Sequence, residues 1–394
     1  MNLFRSTTTT PIITNSINRL PLRRVFFFIP LVLACFTLSP RLQAQLPSPT
    51  PDGGYPGDNT AEGANALSNV TPGFGFGFSN TAVGSSALHS DTTGAANTGI
   101  GAFALVDNIS GGANTAVGGA ALFNNTTGNE NTAVGNGALT NNKTGADNTA
   151  VGFGALFTEF EGGAGANNTA VGANALFNNL TGGGNTATGI DALFNNTTGN
   201  NNTATGVGAL SGDNVLFNTG SDNTATGVTA LNKNTTGTDN TAMGENALAS
   251  NSTGSNNTAT GLGALLSNLT GGANTATGVN ALANNTSGSS NIAVGTSAGV
   301  NLITGSDNID IGNAGVADES NTIRIGVQGT QTATYVAGVS GGAVTGMAVK
   351  VNAAGQVGTA PSSARFKEEI KPMDKASETI LALKPVSFRY KKEI

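Results

Sequence analysis

Few side chains in this sequence have the chemistry for catalysis or metal binding. There is one histidine, His89, and one cysteine, Cys35. A Ser-His-Asp triad needs its imidazole beside a nucleophile and a carboxylate, and a zinc site needs several His or Cys ligands together, so neither is expected. His89 is read as an exposed turn residue. Asp147, Asp222, Asp239 and Asp307 each stand directly before a recurring Asn, which raises calcium binding. They lack the GGxGxDxUx pattern of calcium-binding solenoids, and Asp in that setting is a turn former. GFGFGF at 73–78 has neither the Lys nor the strand–loop–helix context of a phosphate loop. The many Asn-x-Thr triplets follow from an Asn- and Thr-rich composition and are uninformative as glycosylation sites. No metal or cofactor is expected.

What must position any such group is a repeat. The 394 residues include 57 Gly, no Trp and three Tyr, with 10% charged residues, which no ordinary globular domain shows. The stretch NTAVGNGALTNNKTGAD (131–147) is followed at once by NTAVGFGALF. With the Gly of NTAVG as marker, the motif recurs sixteen times from Gly63 to Gly326, and eleven of the fifteen intervals are 17 residues. Three intervals are 20 or 21 residues and the last is 14. A fixed short period means a solenoid in which each repeat touches its neighbours.

Asn, Thr and Gly fill most positions, and all are poor helix formers, so the coil must be built of strands and turns. Within NTAVG the third residue is nearly always Ala while the fourth varies among Val, Thr and Met, a period-2 signature. The Ala and Gly positions are expected to face a narrow interior, and Val134, Val151, Thr188 and Met243 to face out. A second short strand is expected at Ala-Leu (Leu122, Leu139, Leu156 and their equivalents), with turns of Asn, Thr and Gly between. Successive coils then pair in parallel at about 4.8 Å. The first Asn of each repeat stacks on its counterpart, amide bonding to amide. The extra residues at TEFEGGAG and SGDNVLFNTG fall in turns. The fold class is therefore all-β, a parallel β-roll or β-solenoid of about sixteen short coils, with a β-rich stalk and a short α+β C-terminal piece. So thin a coil buries little alone. The outward column, with Phe123, Phe157, Phe177 and Phe194 beside Ala-Leu, supplies an apolar stripe to lie against other chains, the alternative being edge residues of a monomeric solenoid.

The motif NTAVGxxAL, with the late forms NIDIGN (308–313) and NTIRIG (321–326), resembles the head repeats of YadA-like trimeric autotransporter adhesins over about residues 59–326. The resemblance implies a left-handed parallel β-roll, three chains together and a surface-exposed head that binds a host or matrix molecule. The 17-residue repeat is longer than that family's usual one. Nothing in 327–394 is similar to its membrane β-barrel segment.

SSARFKEEIKPMDKASETILALKPVSFRYKK (362–392) is similar to the opening of the intramolecular chaperone domain of phage tail fibres and endosialidases, the S74 peptidase family. That family's domain helps a β-rich fibre trimerise and then cuts itself off before a serine with a Ser-Lys pair. The resemblance places the pair at Ser362 and Lys367, with Arg365, Phe366 and Ile370 in matching positions. Ser363 stands where the family often has Asp. The family's domain continues past its Phe-Arg-Tyr segment, whereas this chain stops at Ile394, which implies a shortened domain and no self-cleavage. Read from its residues alone, Asp374 or Ser377 caps a short helix with Ile380, Leu381 and Leu383 on one face, and VSFRY alternates as a strand.

The N-terminus has Arg5, Arg19, Arg23 and Arg24 before the apolar run Val25–Leu38, then LQAQ. This is an export signal, residues 1–44, with cleavage after Ala44; a twin-arginine signal and a lipoprotein box at Cys35 are alternatives. The apolar run is interrupted by Pro30 and is short for a membrane span, so no integral span is expected in the mature chain. A Pro/Gly-rich linker follows (45–58), then the repeats (59–326), a β-rich connector (327–361) and the S74-like start (362–394). Residues 59–326 carry three Lys and Arg against sixteen Asp and Glu, which disfavours nucleic acid. The expected protein is an exported, cell-surface or extracellular fibre, structural or adhesive. It is a homotrimer with an unknown surface or matrix ligand. The alternative is an autoproteolytic fibre precursor that cuts before Ser362.

Overall fold

The computed structural model describes residues 57–71, 77–158, 165–212, 217–336 and 349–359. Among them the secondary structure is all β, with no helix. The chain divides into two compact units, the first ending at Thr236 and the second beginning at Gly237. In the first unit, ten three-residue strands pair in chain order. They are β1 (Thr60–Glu62), β2 (Thr81–Val83), β3 (Thr98–Ile100), β4 (Thr115–Val117), β5 (Thr132–Val134), β6 (Thr149–Val151), β7 (Thr169–Val171), β8 (Thr186–Thr188), β9 (Thr203–Thr205) and β10 (Thr224–Thr226). In the second unit, β11 (Thr241–Met243), β12 (Thr258–Thr260), β13 (Thr275–Thr277), β14 (Ile292–Val294), β15 (Ile309–Ile311) and β16 (Ile323–Ile325) do the same. Each unit is a parallel β-solenoid. The register sets Thr on Thr and Ala on Ala, as in Thr132↔Thr149 and Ala133↔Ala150.

The strand parity is as the sequence predicts. The central residue is Ala in thirteen of the sixteen solenoid strands, and all of these but Ala61 in β1 are fully buried, Ala133 and Ala204 for example, while Val134 and Val151 are exposed. The longer intervals leave the register intact, since β6 meets β7 at Thr149↔Thr169 and β9 meets β10 at Thr203↔Thr224. Residues 159–164 and 213–216, in those two insertions, lie outside the described residues.

Two expectations are corrected. Ala-Leu forms no second strand; it lies on a chain of turns in which Leu adopts the left-handed conformation, φ 52° at Leu139 and φ 51° at Leu156. The left-handed region costs a bulky L-residue about 1–2 kcal/mol. Each of these Leu side chains is fully buried, which contributes about 1.5–3 kcal/mol, so burial wins. The turn also places Leu139 N–H 2.9 Å from Ala155 O of the next coil, so the backbone stays paired across coils without strand geometry. The second correction concerns the Gly of NTAVG, which does not fill the interior as Ala does. Gly135 has φ 135° and packs on Gly152, where an added Cβ would enter the Gly152 carbonyl. Glycine is there because no side chain fits between stacked backbones.

In the second unit, an antiparallel hairpin of β17 (Val349–Val351) and β18 (Val357–Thr359) lies within the expected connector. Val349, Val351 and Val357 share its apolar face and are all largely exposed. The expected export signal, nearly all of the linker and the whole of 362–394, including its expected short helix, lie outside the described residues.

The interior accepts a methyl group at the strand centres that carry Ala. Ala204→Leu is expected to destabilise the protein by about 1–3 kcal/mol or more, whereas Thr205→Val on the outward side leaves it nearly unchanged. Thermal denaturation of the two variants checks this, and equal effects would refute the assigned facing.

Candidate functional site

The surface of the solenoid is built by the residues flanking each buried Ala. Thr occupies the first strand position throughout the first unit, and the third position is Val or Ile in six of its ten strands. Where the third position is Thr, the residue two further on is apolar and exposed: Ile190 after Thr188, Val207 after Thr205 and Val228 after Thr226. The second unit repeats this with Leu262 after Thr260 and Val279 after Thr277. Every coil of the first unit after its first, and every coil of the second unit, thus carries an outward apolar side chain; the first coil carries Glu62 instead. The exchange is visible in the sequence, but only once two columns are compared rather than one.

A second column follows Ala-Leu. Phe157, Phe177 and Phe194 stack with ring centroids 5.0 Å apart and planes 9° and 4° from parallel, and Phe103 tilts against Phe123 at 6.2 Å. His89 occupies the same column. It is half-buried rather than exposed, with Nδ1 2.6 Å from Ser68 Oγ and 3.3 Å from Asn65 O. Among the described residues no carboxylate hydrogen-bonds it, so the pair lacks the third group of a triad.

Two Asn ladders hold the turns. The expected one runs through the first Asn of each repeat: Asn131 N–H donates to Asn114 Oδ1 at 3.0 Å, and Asn131 Nδ2 donates to Gly145 O at 2.9 Å. The sequence reading missed a second, through Asn108, Asn125 and Asn142, whose Nδ2 groups donate to the preceding ladder residue. Asn142 Nδ2 donates to the same Gly145 O at 2.9 Å. The four predicted turn acids stand where the chain turns left-handed, with φ 57–60° at Asp147, Asp222, Asp239 and Asp307. They are spread along the solenoid, and among the described residues no cluster of three or more His, Cys, Asp or Glu side chains is placed to hold a metal ion.

Two acids the sequence reading passed over are the unusual ones. Asp91 begins the second ladder. Its Oδ1 accepts from Gly94 N–H at 2.9 Å and Asn108 Nδ2 at 3.3 Å, while buried Oδ2 has no partner. Burial pushes its carboxyl up to about 7, against smaller opposing effects of the Gly94 and Asn108 hydrogen bonds. Asp310 takes the interior strand position that Ala holds elsewhere, and both its oxygens are buried without a hydrogen bond. Burial, reinforced by Glu319 and opposed by Arg324, raises it to about 6. Arg324 is already engaged by Glu319 in a two-point ion pair at 2.7 Å, which holds the Glu319 carboxyl below its usual range.

Ser362 and Lys367 lie outside the described residues, so no geometry relates them. Residues 362–394 match the family model described as Peptidase S74, chaperone of endosialidase. A comparison with curated proteins finds no match.

Folded Asp91 keeps its proton up to about pH 7, whereas an ordinary Asp loses it near 3.8. Between those values the unfolded chain binds fewer protons than the folded one, so Asp91 makes stability fall as pH rises. Asp91→Asn restores the residue used by later coils and is expected to raise stability at pH 8 by about 1–3 kcal/mol, the cost of an unsatisfied buried group. Denaturant unfolding of both proteins at pH 4, 6 and 8 checks this; the difference should grow with pH.

Proposed function

We propose that the protein is a structural fibre component of the tail-fibre kind, exported and assembled as a homotrimer, with 362–394 serving that assembly. The carrying observation is the outward apolar group on every coil after the first. A coil whose interior holds Ala and one Leu buries little in one chain, and an apolar stripe along each unit is stabilised by covering it. The hairpin β17–β18 supports the same reading, because two strands alone are marginal in water and its valines are largely exposed. The S74 match supplies a chaperone-like segment directly after it. An adhesive, YadA-like head is the finer form of this proposal and rests on the repeat motif.

The family match also favours a second reading, an autoproteolytic precursor. There a neutral Lys367 takes the Ser362 hydroxyl proton as Oγ attacks the carbonyl carbon of Pro361; the Pro361–Ser362 C–N bond breaks, its nitrogen leaving as the Ser362 amine with the proton handed on by Lys367, and water then hydrolyses the Pro361 ester on Oγ to separate the two chains. An exposed lysine is protonated at neutral pH, so the step requires Lys367 to be enclosed by the assembled chains.

Light scattering with intact-mass measurement on the 394-residue chain separates these. The expected outcome is an elongated trimer of uncut chains. A compact monomer at micromolar concentration would remove the assembly reading, and a fragment beginning at Ser362, lost in Ser362→Ala and Lys367→Ala, would establish the precursor reading.

A further inference from the structure

In the first unit the aromatic column ends abruptly. Phe157, Phe177 and Phe194 stack at 5.0 Å, but the next coil has Ser211 in the same place. On the neighbouring column Asp191 is followed by Gly208. Two small residues in one coil thus remove a layer from the stack, and the coil after that closes the gap with Asn232, whose Nδ2 donates to Gly208 O at 3.1 Å and to Ser211 Oγ at 2.6 Å. What remains is an open cleft of about 320 Å³ lined by Asn174, Asp191, Phe194, Asn195, Ser211 and Gly212. That volume is at the lower end for small-ligand sites, about 300–1,000 Å³.

The cleft has one aromatic wall and a polar edge. Phe194 is covered on one side by Phe177 at 5.0 Å and lines the cleft beyond it. Asp191 accepts from Asn174 Nδ2 at 3.1 Å through Oδ1, which fixes the carboxylate at the rim. Ser211 and Asn195 supply hydroxyl and carboxamide groups beside it. A gap where one ring of the stack is missing, with an aromatic face for C–H groups and acceptors at the edge for hydroxyl groups, suits a pyranose. Charge narrows the class further. Residues 59–236 carry two Lys against ten Asp and Glu, and one of those acids is at the rim, so an anionic sugar is repelled.

We propose that the cleft at Phe194 binds a neutral hexopyranose unit of a polysaccharide, stacked on the Phe194 ring and hydrogen-bonded through its hydroxyl groups to Asp191. This names the ligand of the surface fibre proposed above, and rests on that reading for its biological setting. The cleft itself is formed within one chain.

Saturation-transfer NMR on the full chain, with linear hexasaccharides of glucose, mannose, galactose and N-acetylglucosamine and with oligosialic acid as the charged control, tests it. At least one neutral probe should bind with a dissociation constant on the order of 1 mM, the range for so small a contact. Ser211→Phe extends the aromatic stack into the cleft and should abolish binding at an unchanged thermal midpoint. Asp191→Asn, an amide already used in this column by Asn174, Asn246 and Asn280 at φ 54–57°, should weaken binding about tenfold. Absence of binding by every neutral probe overturns the proposal, as does stronger binding of oligosialic acid or binding untouched in Asp191→Asn, even if Ser211→Phe fails to fold. Light scattering on the same sample keeps the two readings apart. A trimer that binds no neutral probe overturns the sugar site alone, and a monomer that binds one overturns the assembly alone.

Discussion

Everything in this solenoid depends on the asparagine amide that bridges one coil to the next. A three-residue strand pairs few backbone groups, and the remaining turns of each coil bring buried N–H and C=O groups that must find partners. The side chain of Asn114 meets part of that need by accepting from Asn131 N–H, and Asn131 Nδ2 in turn reaches Gly145 O. Because the Asn142 ladder ends on the same carbonyl, two stacks fix one turn. Both reach their partners only when coils sit one strand spacing apart. The first ladder crosses both insertions, Asn168 N–H donating to Asn148 Oδ1 and Asn223 N–H to Asn202 Oδ1, and the register across each is preserved.

A ladder of amides has a direction, and its ends pay for it. Along the second ladder Asn108, Asn125, Asn142, Asn196, Asn268 and Asn285 each donate toward the N-terminal side, leaving the oxygen for the following coil. Where the following coil has Leu302 instead, the Asn285 oxygen is left buried without a partner. At the other end Asp91 presents an acceptor facing no donor, and its raised pKa is the electrostatic form of the same mismatch. Asp310 marks a different ending. The spacing shortens to 14 residues, the interior strand position changes from Ala to Asp and then Arg, and the Glu319–Arg324 pair lies beside it. Terminal repeats of solenoids are commonly atypical because one of their faces has no neighbour.

The period, the parallel register and the inward Ala were legible because each is a one-dimensional pattern: a fixed interval, a repeated motif, an alternation of two. The left-handed Leu was not. Leu beside Ala has the composition of a strand, and nothing local marks φ as positive; the conformation follows from burying that side chain between coils while its N–H reaches the next one. The second ladder was hidden for a related reason, since Asn142 looks like turn residue among turn residues until Asn125 is placed beneath it. Asp91 and Asp310 were legible as letters that break a column, Asp for Asn and Asp for Ala, but their meaning needs the burial that only stacking creates.

The outward face permits one more step. If its apolar residues were edge groups of a monomeric solenoid, replacing Val by Thr in a strand would be indifferent, and no neighbouring position would need to respond. Instead Thr188, Thr205 and Thr226 are each accompanied by an apolar residue two positions on, and Thr260 and Thr277 behave alike in the second unit. Coils that already have Val or Ile in the strand mostly carry a small or polar residue there, as at Ser85, Gly119 and Asn136, with Phe153 and Val327 the exceptions. Apolar surface on this face is thus maintained coil by coil while its position shifts sideways. A globular partner touches a few coils and constrains only those. A surface that repeats at every coil is matched by another with the same repeat, which a second copy of this chain possesses, and that periodicity is the physical basis for the homotrimer proposed.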